Sequence, residues 1–130
     1  MYRNAFTLLA LCALALPAQA GQGVLFSFTL TEQHSESDQT ESTFGFLVDY
    51  GKESFADIGN TAKLIVTPAD EPDAAQLTLT LLDYTRDGEL VLVGKDDLRA
   101  PYNTTSQIAW HPPSGTHYIL HVVPKRAKTP

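Results

Sequence analysis

Three of the chain's four histidines stand within twelve residues, Trp110 to His121 (WHPPSGTHYILH), together with Trp110 and Tyr118. Imidazoles so close together suggest a metal centre or an acid–base site. The spacing argues against both. Pro112-Pro113-Ser114-Gly115 is turn chemistry, so the stretch reads as a hairpin tip. With those four residues as the loop, His111 opposes Thr116, Trp110 opposes His117, Ile108 opposes Ile119 and Ser106 opposes His121. His117 and His121 then share a strand face, but four residues at ~3.3 Å each set their Cα atoms ~13 Å apart. One zinc ion, with Zn–N bonds of ~2.0–2.1 Å, cannot bridge that gap. His111 points to the opposite face. No metal and no cofactor is expected. What remains is a recognition surface, with Trp110, His117 and the loop residue Tyr102 as its ligand-binding candidates. For Trp110 the competing expectation is plain core, since large aromatics dominate sandwich interiors.

Other chemistry fares no better. No G-x-S-x-G elbow, phosphate loop, dinucleotide fingerprint or H-E-x-x-H occurs. Ser114 lies beside His111 and His117, but serines are ordinary turn residues. Asp96 and Asp97 are adjacent, so on a strand they face opposite ways. The segment from Thr31 to Thr43 (TEQHSESDQTEST) gathers Glu32, Glu36, Asp38 and Glu41 without the glycine that a calcium loop uses at its turn. It is expected to be a long solvated loop or flexible hairpin tip. No catalytic residue is nominated, and the chain is not expected to be an enzyme.

The elements that must position these residues show a period of two. Val24, Phe26, Phe28 and Leu30 alternate with Leu25, Ser27, Thr29 and Thr31, and Phe44, Phe46, Val48 and Tyr50 with Thr43, Gly45, Leu47 and Asp49; Leu77, Leu79 and Leu81 follow. Leu64 with Val66, Leu90 with Leu92, Ile108 with Trp110, and the run from Thr116 to Val123 complete the set. Such alternation marks half-buried strands, and no helical stripe appears beyond the N-terminal segment. Asp87-Gly88 is a hairpin signal. Pro68–Asp73 reads as a longer loop, because proline is excluded from central strands. About seven short strands predict a single antiparallel β-sandwich, immunoglobulin-like in the broad sense but lacking the cysteine pair. The runs ending at Pro68 and Pro124, with the polar strands before them, echo each other at an offset of 56 residues. That pattern fits two similar hairpins, one per half of a sandwich. It fits equally a chance likeness between any two hairpins.

The chain opens with Arg3, an apolar run from Ala5 to Leu16, Pro17, and Ala18-Gln19-Ala20. That is the layout of a secretory signal peptide, with cleavage expected after Ala20. The apolar run is too short to cross a membrane core of ~30 Å. Lipidation at Cys12 is the alternative, but Leu11 is large for the position before a lipidated cysteine. The expected organisation is a signal peptide (1–20), a β-sandwich domain (21–124) and a flexible basic tail (125–130). Cleavage leaves eight basic against fifteen acidic residues, a net charge of −7, and no cysteine. An acidic domain disfavours nucleic acid and anionic membranes as partners. Without cysteine the mature chain has no disulfide and no thiolate chemistry. These features predict a periplasmic or secreted, non-catalytic protein that binds another envelope or exported protein, or a small ligand. A small metal- or histidine-dependent activity at the terminal hairpin is the alternative.

Overall fold

The computed structural model describes residues 22–59, 61–85 and 87–128. The expected signal peptide and Cys12 lie outside the described residues. Eight strands are present among them: β1 (Gln22–Ser35), β2 (Asp38–Asp49), β3 (Ser54–Ile58), β4 (Ala62–Asp70), β5 (Ala74–Tyr84), β6 (Leu90–Pro101), β7 (Ser106–Trp110) and β8 (His117–Lys128). They form two antiparallel four-stranded sheets, ordered β2-β1-β8-β7 and β3-β4-β5-β6. None of the described residues is helical, so among them no helix is long and apolar enough to cross a membrane.

The period of two explains the layering. β1 turns Val24, Phe26, Phe28 and Leu30 inward, and β5 turns Ala75, Leu77, Leu79 and Leu81 inward. With Leu64 and Val66 of β4 and Leu120 and Val122 of β8 they make one continuous core between the sheets. The arrangement is thus a sandwich-like pair of layers. Phe26 and Phe28 extend the core sideways onto Phe44 and Phe46 of β2, with ring centroids 5.0 to 6.4 Å apart.

The echo between the proline-ended runs is structural. The chain folds as two halves, β1–β4 and β5–β8, and each gives its long hairpin to one sheet and its short hairpin to the other. The registers correspond pair by pair. Val24–Val48 answers to Ala75–Ala100, Ser54–Val66 to Ser106–Val122, and Leu64–Leu81 to Leu120–Leu30. An approximate twofold axis along the strands therefore exchanges the sheets. Even the proline contacts repeat: the Pro68 carbonyl accepts from the Gly51 amide at 2.7 Å, and the Pro124 carbonyl from the Asn103 amide at 2.8 Å. Gly51 (φ 79°) and Asn103 (φ 61°) both adopt the left-handed conformation, which glycine and asparagine tolerate best.

Three expectations are corrected. Pro68 lies inside β4 rather than in a loop. It is tolerated because β3 pairs only as far as Val66, so the missing N–H falls on the unpaired side. Of the two expectations for Thr31–Thr43, the long loop is corrected and the hairpin tip stands: β1 and β2 continue through it, with the turn at Glu36 and Ser37. Its alternation is hidden because residues 38–41 of β2 are exposed on both faces. Lys125–Lys128 continue β8, pairing with Leu25 to Gln22, rather than forming a solvated tail.

Candidate functional site

The β7–β8 hairpin is one residue out of the expected register. Trp110 opposes Tyr118, not His117, and Ile108 opposes Leu120. A one-residue slip turns every side chain to the other face. Between the last residues paired across the hairpin the chain therefore spans His111–His117, His117 pairing instead with Gln33 of β1, with Gly115 at φ 91° and its amide donating to the Pro112 carbonyl at 3.1 Å. Trp110 and Tyr118 both point into the core, at 8% and 2% exposure. His117 stays exposed, and its ring meets that of His111 edge-on, with centroids 4.5 Å apart. Trp110 and His117 thus do not share a face; the hairpin instead joins His111 to His117. His34, from the β1–β2 hairpin, reaches the Thr116 hydroxyl at 3.1 Å. Among the described residues no group of three or more His, Cys, Asp or Glu side chains is placed to hold a metal ion.

Trp110 is held by a glycine. A Cβ on Gly94 of β6 would lie 2.1 Å from the indole Cδ1 and 2.4 Å from Nε1, so only glycine allows the ring to lie there. The indole N–H is buried with no hydrogen-bond partner. Gly94 follows Val93, the residue β6 inserts as a bulge between the Leu81–Gly94 and Leu82–Leu92 pairs.

Beside this aromatic end sits a pair of acids. Glu32 continues the inward face of β1 and is only 4% exposed. Asp83 continues that of β5, accepts a hydrogen bond from the Tyr118 hydroxyl, and is the twofold counterpart of Glu32. Burial, and then the charge of Asp83, raise the Glu32 pKa above the usual carboxylate value; His34 and the Thr61 hydroxyl, 3.4 Å from Oε2, act in the opposite direction. Burial and the bond to Asp83 push the Tyr118 hydroxyl up.

A cleft of about 380 Å³ opens over Asp83. Its walls are Val91, Leu92 and Val93 of β6 on one side and Pro112, Pro113 and Ser114 on the other. Tyr84, Thr85 and Tyr118 complete it. Its size falls within the range of ligand sites, roughly 300–1,000 Å³. Next to it, Leu90 and Leu92 are exposed on the free edge of the β3-β4-β5-β6 sheet, Leu92 at 59%.

The internal twofold shows what the scaffold itself requires at this corner. In the first half the positions of Leu90, Val91 and Leu92 hold Gln39, Thr40 and Glu41. Tyr118 corresponds to Ala62, Trp110 to Ile58 and Gly94 to Ser42. The short β3–β4 turn from Ile58 to Ala62 is matched by the longer connection that contains Pro112–Gly115. Equivalent backbone is thus built without the apolar edge, the bulge, the aromatic pair or the proline wall. These four departures from symmetry meet at one cleft; others lie elsewhere, such as the exposed Leu25–Leu47 pair, which answers to Gln76–Arg99.

Tyr102 lies elsewhere. Tyr118 and Arg126 are eight residues apart on β8, about 26 Å at strand spacing, and Tyr102 is at the Arg126 end, with the guanidinium 4.2 Å above its ring. Its hydroxyl donates to Asp70 Oδ1 at 2.5 Å, and Tyr50 contacts it at 2.6 Å. That half-buried side chain is committed to a clamp joining the ends of β4 and β8. Sequence reasoning passed over Asp83, weighed Glu32 only as one of four acids in the Thr31–Thr43 segment, and read Leu90 and Leu92 only as part of a strand. A usable signal was the likeness of Phe26–Glu32 (FSFTLTE) to Leu77–Asp83 (LTLTLLD), which pairs the two acids.

The chain matches no protein family, no curated protein and no solved structure.

Proposed function

We propose that this is an exported, non-catalytic β-sandwich protein, immunoglobulin-like in the broad sense, that binds a partner in the cell envelope. Its working surface is the Leu90–Val93 edge of β6 together with the adjoining cleft. The observation that carries this reading is that four departures from internal symmetry (apolar edge, bulge, aromatic pair and proline wall) meet at that corner and enclose a cleft. A fold that needed an apolar edge there would carry one at Gln39–Glu41 as well. Exposed apolar strand edges are an aggregation hazard that proteins ordinarily blunt with charge. β6 does so in its second half, with Lys95, Asp96, Asp97 and Arg99, and leaves its first half open. An open edge is a template for strand addition by an extended segment of another protein. The signal-peptide layout and the acidic, cysteine-free mature sequence favour action outside the cytoplasm.

The test uses twofold-related substitutions. Leu92→Lys closes the β6 edge, and Glu41→Lys places the same charge at its counterpart on β2. Crosslinked capture from envelope extract is expected to be lost with Leu92→Lys and kept with Glu41→Lys. Equal capture by both variants would remove the edge from the account.

A further inference from the structure

We propose that the cleft beside β6 binds a small organic ammonium ion, with the charged head at Asp83 and an apolar body between Val91–Val93 and Pro112–Pro113. This rests on the reading that the cleft is part of the working surface, and it names the chemistry of the occupant.

Three features select that chemistry. First, the walls are apolar on both sides: aliphatic side chains on β6 face a proline pair. Such walls suit a hydrocarbon body and offer little to a hydrated metal ion. Second, beside the hydroxyls of Thr85, Ser114 and the tyrosines, the charged group that lines the cleft is the Asp83 carboxylate, with Glu32 from the opposite sheet behind it. Among the described residues no lysine or arginine lines the cleft, and the nearest basic group, His34, lies 3.9 Å from Glu32 rather than at Asp83. An anion placed there would meet like charge, and a neutral ligand would leave the carboxylate without a countercharge. Third, Tyr84 and Tyr118 line the same space, and aromatic rings attract ammonium groups. Glu32 and Asp83 exist at both symmetry-related positions, whereas the apolar walls exist at one. The cleft therefore combines a charge pair inherited from the duplicated scaffold with walls that are not.

The experiment compares phenethylammonium chloride with its neutral analogue 2-phenylethanol on the full chain, in wild type and Asp83→Asn, by amide NMR titration. Asparagine retains an oxygen that accepts from Tyr118, so the clamp beneath the cleft is conserved. In the wild type both probes are expected to shift the amides of residues 83–85, 91–93 and 118, and the ammonium ion to bind about tenfold more tightly, a difference of about 1.4 kcal/mol. In the wild type added salt is expected to weaken only the ammonium ion, and in Asp83→Asn the two affinities are expected to converge. Equal affinities in the wild type, or a preference that survives Asp83→Asn, would overturn the assignment and leave an apolar cleft. Binding of neither probe would overturn it too. The strand-adding edge would then still stand if Leu92→Lys abolished envelope capture.

Discussion

Tyr50 and Tyr102 occupy equivalent positions in the two halves of the chain, and their hydroxyls lie 2.6 Å apart. Residues related by a twofold axis touch only where the axis passes between them, so this contact marks one end of it. Tyr102 donates to Asp70, which leaves Tyr50 as the donor to Tyr102. Asp70 and Arg126, 3.2 Å apart, are themselves twofold counterparts on β4 and β8. The clamp thus fastens the two halves at the end opposite the cleft.

Tyr102→Phe is expected to cost about 1 kcal/mol at neutral pH, the size of one net hydrogen bond. The loss should depend on pH. The hydroxyl of Tyr102, and then Arg126, hold Asp70 below the usual carboxylate range. A lowered folded-state pKa gives stability that is present above the unfolded value and lost as pH falls through the folded one. Urea denaturation should therefore show the variant approaching the wild type as pH drops below about 3.9. A constant gap down to the acid limit would show that the ring, not the hydroxyl pair, matters.

Glu32→Gln should act in the opposite direction. Burial and Asp83 raise the Glu32 pKa, against the lesser effects of His34 and Thr61. A raised acid binds its proton more tightly in the folded state, so its ionisation costs stability as pH climbs above the unfolded value of 4.5. Relative to the wild type, Glu32→Gln should gain stability between pH 4 and pH 7, and chemical denaturation at both values reads the change. Parallel pH profiles for the two proteins would show that the carboxylate is not under this constraint.

Gly94→Ala places a methyl group where the Trp110 indole lies. Overpacking of this kind costs about 1–3 kcal/mol. Because the chain has one tryptophan, its fluorescence should shift toward the exposed value. Adding Trp110→Leu to Gly94→Ala should recover part of the loss; no recovery would mean that the strain is in the β6 bulge.

Replacing His111–His117 by the Gly-Asn-Thr turn that joins β3 to β4 is expected to leave the two sheets folded while removing the proline wall. Circular dichroism should keep its β signature, and cleft binding should be lost. Unfolding would show that the longer connection is part of the scaffold rather than of the site.

Strand content was legible because the alternation of Phe26, Phe28 and Leu30, or of Leu77, Leu79 and Leu81, records burial on one face. The β1–β2 tip was not legible, because Asp38–Glu41 are wet on both faces and leave no period to read. The Trp110–Tyr118 pairing was missed because a turn of four residues and a connection of seven differ by a register that local turn chemistry does not set. The choice was made by Gly94, distant in sequence, whose missing side chain admits the indole. The acid pair was hidden for a similar reason: Glu32 and Asp83 meet only through the duplication, which the sequence shows in the echo at Pro68 and Pro124 and in the likeness of Phe26–Glu32 to Leu77–Asp83.

The central claim is that the β6 edge and its cleft are where this protein meets its partner. Backbone hydrogen exchange of residues 21–130, alone and with envelope extract, tests it most directly. Protection is expected to rise at residues 90–93 and 112–118 and to stay unchanged at Asp38–Glu41 on the twofold-related edge. Protection that rises equally on both edges, or at neither, would contradict the account.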